Sequence, residues 1–139
     1  IYDNLYFFLA FVRFSFPLLW YSEDNKNTLQ KGGVPLKKLR IGFLLITAHA
    51  DPLRDSTFVE NPDATILFIF VNSYSQAEHY AKALASIGCD TIELCPGFGN
   101  EGVGRIQKAV GPYIPVGVVR FDTFPPYGAA HSPDWYQKD

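Results

Sequence analysis

Methionine is missing from this chain altogether, and cysteine and histidine nearly so: 139 residues hold no Met, two Cys and three His. Each shortage removes a class of protein. With Cys89 and Cys95 six positions apart in one predicted strand, the two thiols lie about 20 Å apart, while a disulfide needs Cα atoms within about 7 Å. No disulfide framework follows, and two free thiols fit a reducing, cytoplasmic setting. Basic charge is equally thin. Twelve Lys and Arg stand against fourteen Asp and Glu, for a formal charge of −2, and no Lys/Arg-rich run occurs, so no electrostatic footprint for nucleic acid is present. The modest cluster Lys37-Lys38-Leu39-Arg40 reads as a solvated lead-in to a strand. No Cys/His/Asp/Glu spacing suits a metal ion, so no metal site is expected.

Apolar runs of membrane-spanning length are lacking too, apart from the aromatic-rich segment Ile1 to Tyr21. A membrane span there has to place Arg13 near its middle, at a cost of about 2.5–3.5 kcal/mol on insertion scales. Asp3 and Pro17 are further handicaps. A basic start and a small-residue cleavage site, the marks of a signal peptide, are absent. A membrane anchor is therefore disfavoured beside two other readings. One is a hydrophobic arm packed on this or a neighbouring subunit in a homo-oligomer. The other is sequence upstream of the natural start, since a chain beginning at Ile1 without Met is expected to be a processed product or an incompletely delimited gene.

What remains is ordinary globular material, 47% hydrophobic and 19% charged, long enough for one domain with a core. Residues 1–33 are read as the hydrophobic segment and a polar linker ending in Gly32-Gly33, residues 34–122 as the domain, and residues 123–139 as an irregular Pro/Gly-rich tail. Leu39 to Ala48 and Ala64 to Val71 are nearly continuous apolar runs, the pattern of strands covered on both faces. Asp51-Pro52 starts a short helix expected to reach Glu60. Ser75 and Glu78 form a capping box for a helix ending at Gly88. Cys89 to Cys95 is the third strand, Asn100 caps a helix closed by Gly111, and Val116 to Phe121 is the fourth strand. The alternation predicts an α/β fold: an open, mostly parallel four-stranded sheet with helices on both faces, a flavodoxin-like or Rossmann-like three-layer arrangement.

In such sheets ligands bind beyond the carboxyl ends of the strands. Those ends collect His49 and Asp51, then Asn72, Ser73 and Tyr74, then Glu93, Cys95 and the glycine turn, then Arg120 and Asp122. Strand ends are always loops and loops are polar, so this gathering also has a plain explanation. Gly97-Phe98-Gly99-Asn100-Glu101-Gly102 matches G-x-G-x-x-G between a strand and a helix, with Asp122 twenty residues on, which is the dinucleotide spacing. The turn follows the third strand rather than the first, and the second mononucleotide half is missing. A nucleotide is thus the weaker expectation, and no cofactor is required. The broader one is a small phosphate- or carboxylate-bearing ligand held at Gly97, Phe98, Gly99, Asn100, Asn72, Ser73, Arg120 and Asp122. Cys95, just before a helix N-terminus where the dipole lowers a thiol pKa, is the candidate nucleophile. Glu93, two residues earlier on the same strand face, is a candidate base or a partner for Arg120, and His49, or less readily His131, a candidate base. Plain packing of a buried Cys is the competing reading. His79 falls within a helix and reads as solvated.

Glu93-Leu-Cys-Pro-Gly-Phe-Gly99 and Pro115-Val-Gly-Val-Val-Arg-Phe-Asp122 resemble a small bacterial family of domains of unknown function. Its members share an Ala-Asp-Pro turn after the first strand, matched by Ala50-Asp51-Pro52, a Glu-Leu-Cys-Gly-Gly-Phe-Gly turn and a Pro-Val-Gly-Val-Val strand. The resemblance runs from Leu39 to Asp122 and implies one short α/β domain. Pro96 stands where the family usually has Gly and removes a backbone donor. The reading is a small α/β domain that binds a small anionic ligand at the rim, with two alternatives: a thiol-dependent enzyme or redox sensor, and an oligomeric subunit without a site.

Overall fold

A computed structural model describes residues 38–121. The expectations for residues 1–33, for the tail, and for Asp122 and His131 lie outside the described residues. The elements are β1 (Leu39–Ile46), α1 (Pro52–Asp55), β2 (Thr57–Glu60), β3 (Ala64–Val71), α2 (Tyr74–Ser86), β4 (Thr91–Leu94), a 3-10 turn (Pro96–Phe98), α3 (Gly99–Val110) and β5 (Val116–Val118). They build one sheet in the order β2-β3-β1-β4-β5. Every pairing is parallel except β2 with β3. The fold is α/β with a mostly parallel sheet, as expected.

The sheet has five strands rather than four. Asp51 does cap α1, its Oδ1 accepting from Leu53 N at 3.0 Å, and Pro52 fills the first helical position. But the helix stops at Asp55, and Thr57-Phe-Val-Glu60 forms an antiparallel edge strand on β3. β-branched Thr57 and Val59 with Phe58 suit a pleated strand better than a helix.

Side-chain alternation divides the sheet into two unlike faces. Leu44 and Ile46 of β1, Ile69 and Val71 of β3, and Ile92 and Leu94 of β4 are all 0–3% exposed. They share a core with Tyr74, Ala77, Ala81 and Leu84 of α2, Phe98 of the 3-10 turn and Ile106 of α3. Both long helices therefore lie on the same face and pack against each other, not on opposite faces as the sequence suggested. Topology explains this. The steps β3→β4 and β4→β5 move the same way across the sheet, so right-handed crossovers put both helices on one side. The opposite step, from β1 to β3, is made by α1 and the antiparallel β2, which supply no crossover helix.

The caps follow local chemistry, though not always at the predicted residue. α2 is capped by Ser73, whose Oγ accepts from Gln76 N at 3.3 Å, while Gln76 Oε1 accepts from Asn72 N at 2.8 Å. The working box is thus Ser73–Gln76, two residues before the Ser75–Glu78 pair. Glu78 instead takes the Arg105 Nε of α3 at 2.5 Å. Gly88 at φ 82° and Gly111 at φ 79° end the two helices, as their positions predicted.

Candidate functional site

The chain leaves β1 toward β3 on one side and returns to β4 on the other. The β1/β4 seam is therefore the point at which the strand order reverses. Cys95 sits on this seam. Its backbone N–H donates to Leu44 O at 3.0 Å, continuing the parallel ladder one residue past β4. The next ladder acceptor would be the Cys95 carbonyl, but that oxygen takes Phe98 N at 3.2 Å as Pro96 starts the 3-10 turn. The sulfur replaces it. Cys95 Sγ accepts from Ile46 N at 3.4 Å and from the Gly97 amide.

The shift at this thiol runs opposite to the lowering expected beside a helix N-terminus. Burial pushes its pKa up, and the bonds from Ile46 and Gly97, which act the other way, are the smaller effects. Burial, with the Asp90 charge as a smaller contribution, pushes the Cys89 thiol up to about 12. The proposed partners of Cys95 lie elsewhere. Glu93 pairs across with Phe43 and Gly117, on the sheet face opposite α2 and α3. This register sets it three residues short of Arg120. His49 is exposed in the turn after β1, its carbonyl accepting from Arg54.

The glycine turn is largely a packing device. Gly97, Phe98 and Gly99 are buried, and Phe98 is fully enclosed. Phe98 stacks on Tyr74 with ring centroids 5.8 Å apart, and its carbonyl accepts the Tyr74 hydroxyl at 2.6 Å. A Cβ on Gly102 would meet Tyr74 Cε1 at 2.9 Å and Phe98 Cβ at 3.0 Å. The third glycine of the apparent dinucleotide fingerprint is therefore needed for α2–α3 contact. Gly99, at φ 57°, makes the left-handed break that separates the 3-10 turn from α3.

That break shapes the ligand-accessible part of the rim. α3 begins at Gly99, one residue before the predicted cap. Its N-cap position is Phe98, which supplies no side-chain cap bond, so Asn100 is in the first turn. Beside this turn a shallow cleft of about 20 Å³ is lined by Gly99, Asn100, Val118, Val119 and Arg120, room for a water-sized group. Asn100 and Arg120 are exposed. Of the predicted ligand residues, Gly99, Asn100 and Arg120 are brought together here, and Val118 and Val119 join them unforeseen. Only the end of a short edge strand could have signalled those two. Asn72 and Ser73 lie apart, occupied by the α2 cap and by a bond from Asn72 Nδ2 to Ala50 O at 3.3 Å. Among the described residues no three His, Cys, Asp or Glu side chains converge as a metal site, and no helix is long and apolar enough to cross a membrane. His79 is half-buried, its ring edge-on to Tyr80.

A family model described as a family of unknown function (DUF6506) matches residues 39–131. No curated protein and no solved structure matches the chain.

Proposed function

The chain belongs to the DUF6506 family of unknown function, and we propose that it is a binding domain for a small anionic group, a phosphate or carboxylate, seated between the first turn of α3 and the end of β5. The observation that carries this reading is the cleft lined by Gly99, Asn100 and Arg120 at the end of a helix without a side-chain cap. The helix dipole favours negative charge there, and a guanidinium adds charge-assisted hydrogen bonds. Two free thiols, Cys89 and Cys95, are consistent with a reducing, cytoplasmic setting.

The test is calorimetric and thermal-shift titration of the full chain with inorganic phosphate, pyrophosphate and acetate. Saturable stabilisation by at least one is expected, weakened about tenfold or more in Arg120→Ala by loss of a charged hydrogen bond. No stabilisation by any of the three overturns the reading.

A further inference from the structure

We infer that Tyr74 is a positioning residue for the anion cleft: its hydroxyl aims the Phe98–Gly99 peptide so that the Gly99 N–H faces the bound group. This rests on the cleft reading and adds to it the side chain of α2 that sets one of its walls. Gly99 lines the cleft and has no side chain, so what it offers a ligand is backbone. Its φ of 57° lies in the left-handed region, so the peptide before it does not take its direction from the helix that follows. Phe98, at the N-cap, supplies no side-chain bond either. The direction of that peptide has to be fixed from elsewhere.

Tyr74 fixes it. The hydroxyl donates to the Phe98 carbonyl at 2.6 Å, at the short end of the range for O–H···O bonds. In a planar trans peptide the C=O and the N–H point in opposite directions. A carbonyl turned toward Tyr74, which is fully buried, therefore turns the Gly99 N–H away from the core. That is the side on which Asn100, Val119 and Arg120 line the cleft. A hydrogen bond accepted at the carbonyl also polarises the peptide, which makes its N–H a better donor to an anion.

Further contacts hold the tyrosine at that carbonyl. Its ring stacks on Phe98, and the Arg105 guanidinium lies 5.4 Å from its centroid. Glu78 holds that guanidinium in turn through Nε at 2.5 Å. Gly102 leaves the space, because a Cβ there would stand 2.9 Å from Tyr74 Cε1, the ring carbon next to the one bearing the hydroxyl. A buried tyrosine hydroxyl needs an acceptor wherever it lies, and satisfying it accounts for a bond of some kind. The acceptor taken here is the carbonyl of the one peptide that joins the core-packed Phe98 to the cleft-lining Gly99. The third glycine of the turn thus serves the cleft at one remove, through the tyrosine it admits.

Tyr74→Phe removes one oxygen and keeps the ring, so it separates aiming from packing. Calorimetric titration of the full chain with inorganic phosphate, pyrophosphate and acetate should show affinity about five- to tenfold weaker in Tyr74→Phe for whichever of them binds, the loss of one well-aimed donor. Amide NMR of the isotope-labelled chain supplies a readout that a purely structural role does not move. In the unmodified chain, where no variant has to fold, the Gly99 amide resonance should shift as the bound anion saturates. In Tyr74→Phe that response should shrink, while the Leu44 and Ile69 amides of the sheet keep their positions. A Gly99 amide that ignores an anion bound by the unmodified chain overturns the assignment, and so does equal affinity in Tyr74→Phe. Absence of binding in the unmodified chain is a different result, which overturns the cleft reading and this assignment with it.

Discussion

At the scale of single residues, the two cysteines show how position decides chemistry. Cys95 stands beside a helix start, yet its sulfur finishes a β ladder by taking the Ile46 amide. Desolvation outweighs the donors and holds the proton on. Cys89, 3% exposed, is held protonated more strongly, up to about 12. Tyr80 is raised as well, chiefly by burial. All three groups are neutral when protonated and have folded-state pKa values above their unfolded ones. The stability they contribute is therefore complete below about pH 9, where unfolded thiols ionise, and is lost as pH climbs toward the folded values. Urea midpoints should be level from pH 6 to 8 and fall above pH 9, by on the order of 1 kcal/mol per unit for a buried thiol. Cys89→Ala should remove part of that slope, and an unchanged slope would show that Cys89 does not carry it. Iodoacetamide at pH 8 should label both thiols slowly in the native protein and fully in urea.

At the scale of elements, α2 and α3 are joined by a seam that only one glycine permits. Gly102 and Gly104 are near neighbours in α3, and sequence alone treats both as weak points costing about 0.5–1 kcal/mol each relative to Ala. Their surroundings separate them. A Cβ at Gly102 meets the Tyr74 ring and Phe98, whereas one at Gly104 meets nothing within 4 Å. Gly104→Ala should stabilise by about 0.5–1 kcal/mol, while Gly102→Ala should cost about 1–3 kcal/mol by overpacking. Thermal melting of the two variants checks the contrast, and equal shifts would mean that α2 and α3 do not meet closely at Gly102. The same elements show what was legible. Apolar runs marked β1 and β3, and Gly88 and Gly111 marked helix ends, because each signal is local. Sequence does not separate Ser73-x-x-Gln76 from Ser75-x-x-Glu78 as the cap on α2, because both fit one rule equally well. Only the α2–α3 packing assigns Glu78 to Arg105. The glycine turn is legible in the sequence, whereas the service of Gly99 to the backbone and of Gly102 to a neighbouring helix is not. Tyr74, which requires Gly102, lies 28 residues away.

At the scale of the whole molecule, the unforeseen property is that both long helices of the described residues lie on one face of the sheet. Apolar runs in β1 and β3 reported correctly that the strands are apolar on both faces, but a run of letters does not say what covers them. The direction of each step across the sheet decides that, and it puts both long helices together. β1 becomes the mechanical centre. It pairs with β3 over eight residues and with β4 over four, while β2 and β5 hold the edges with four and three residues. Backbone groups with partners on both sides and a packed helix above them open only with the global transition, whereas edge strands open locally. Native-state hydrogen exchange should therefore find the slowest amides at Leu44 and Ile46 in β1 and at Ile69 and Val71 in β3. Those of Phe58 and Val118 should exchange at least about a hundredfold faster, a gap of about 3 kcal/mol in opening free energy. Equal protection of β2 and β1 would mean that the centre of stability lies elsewhere than in the β3-β1-β4 ladder.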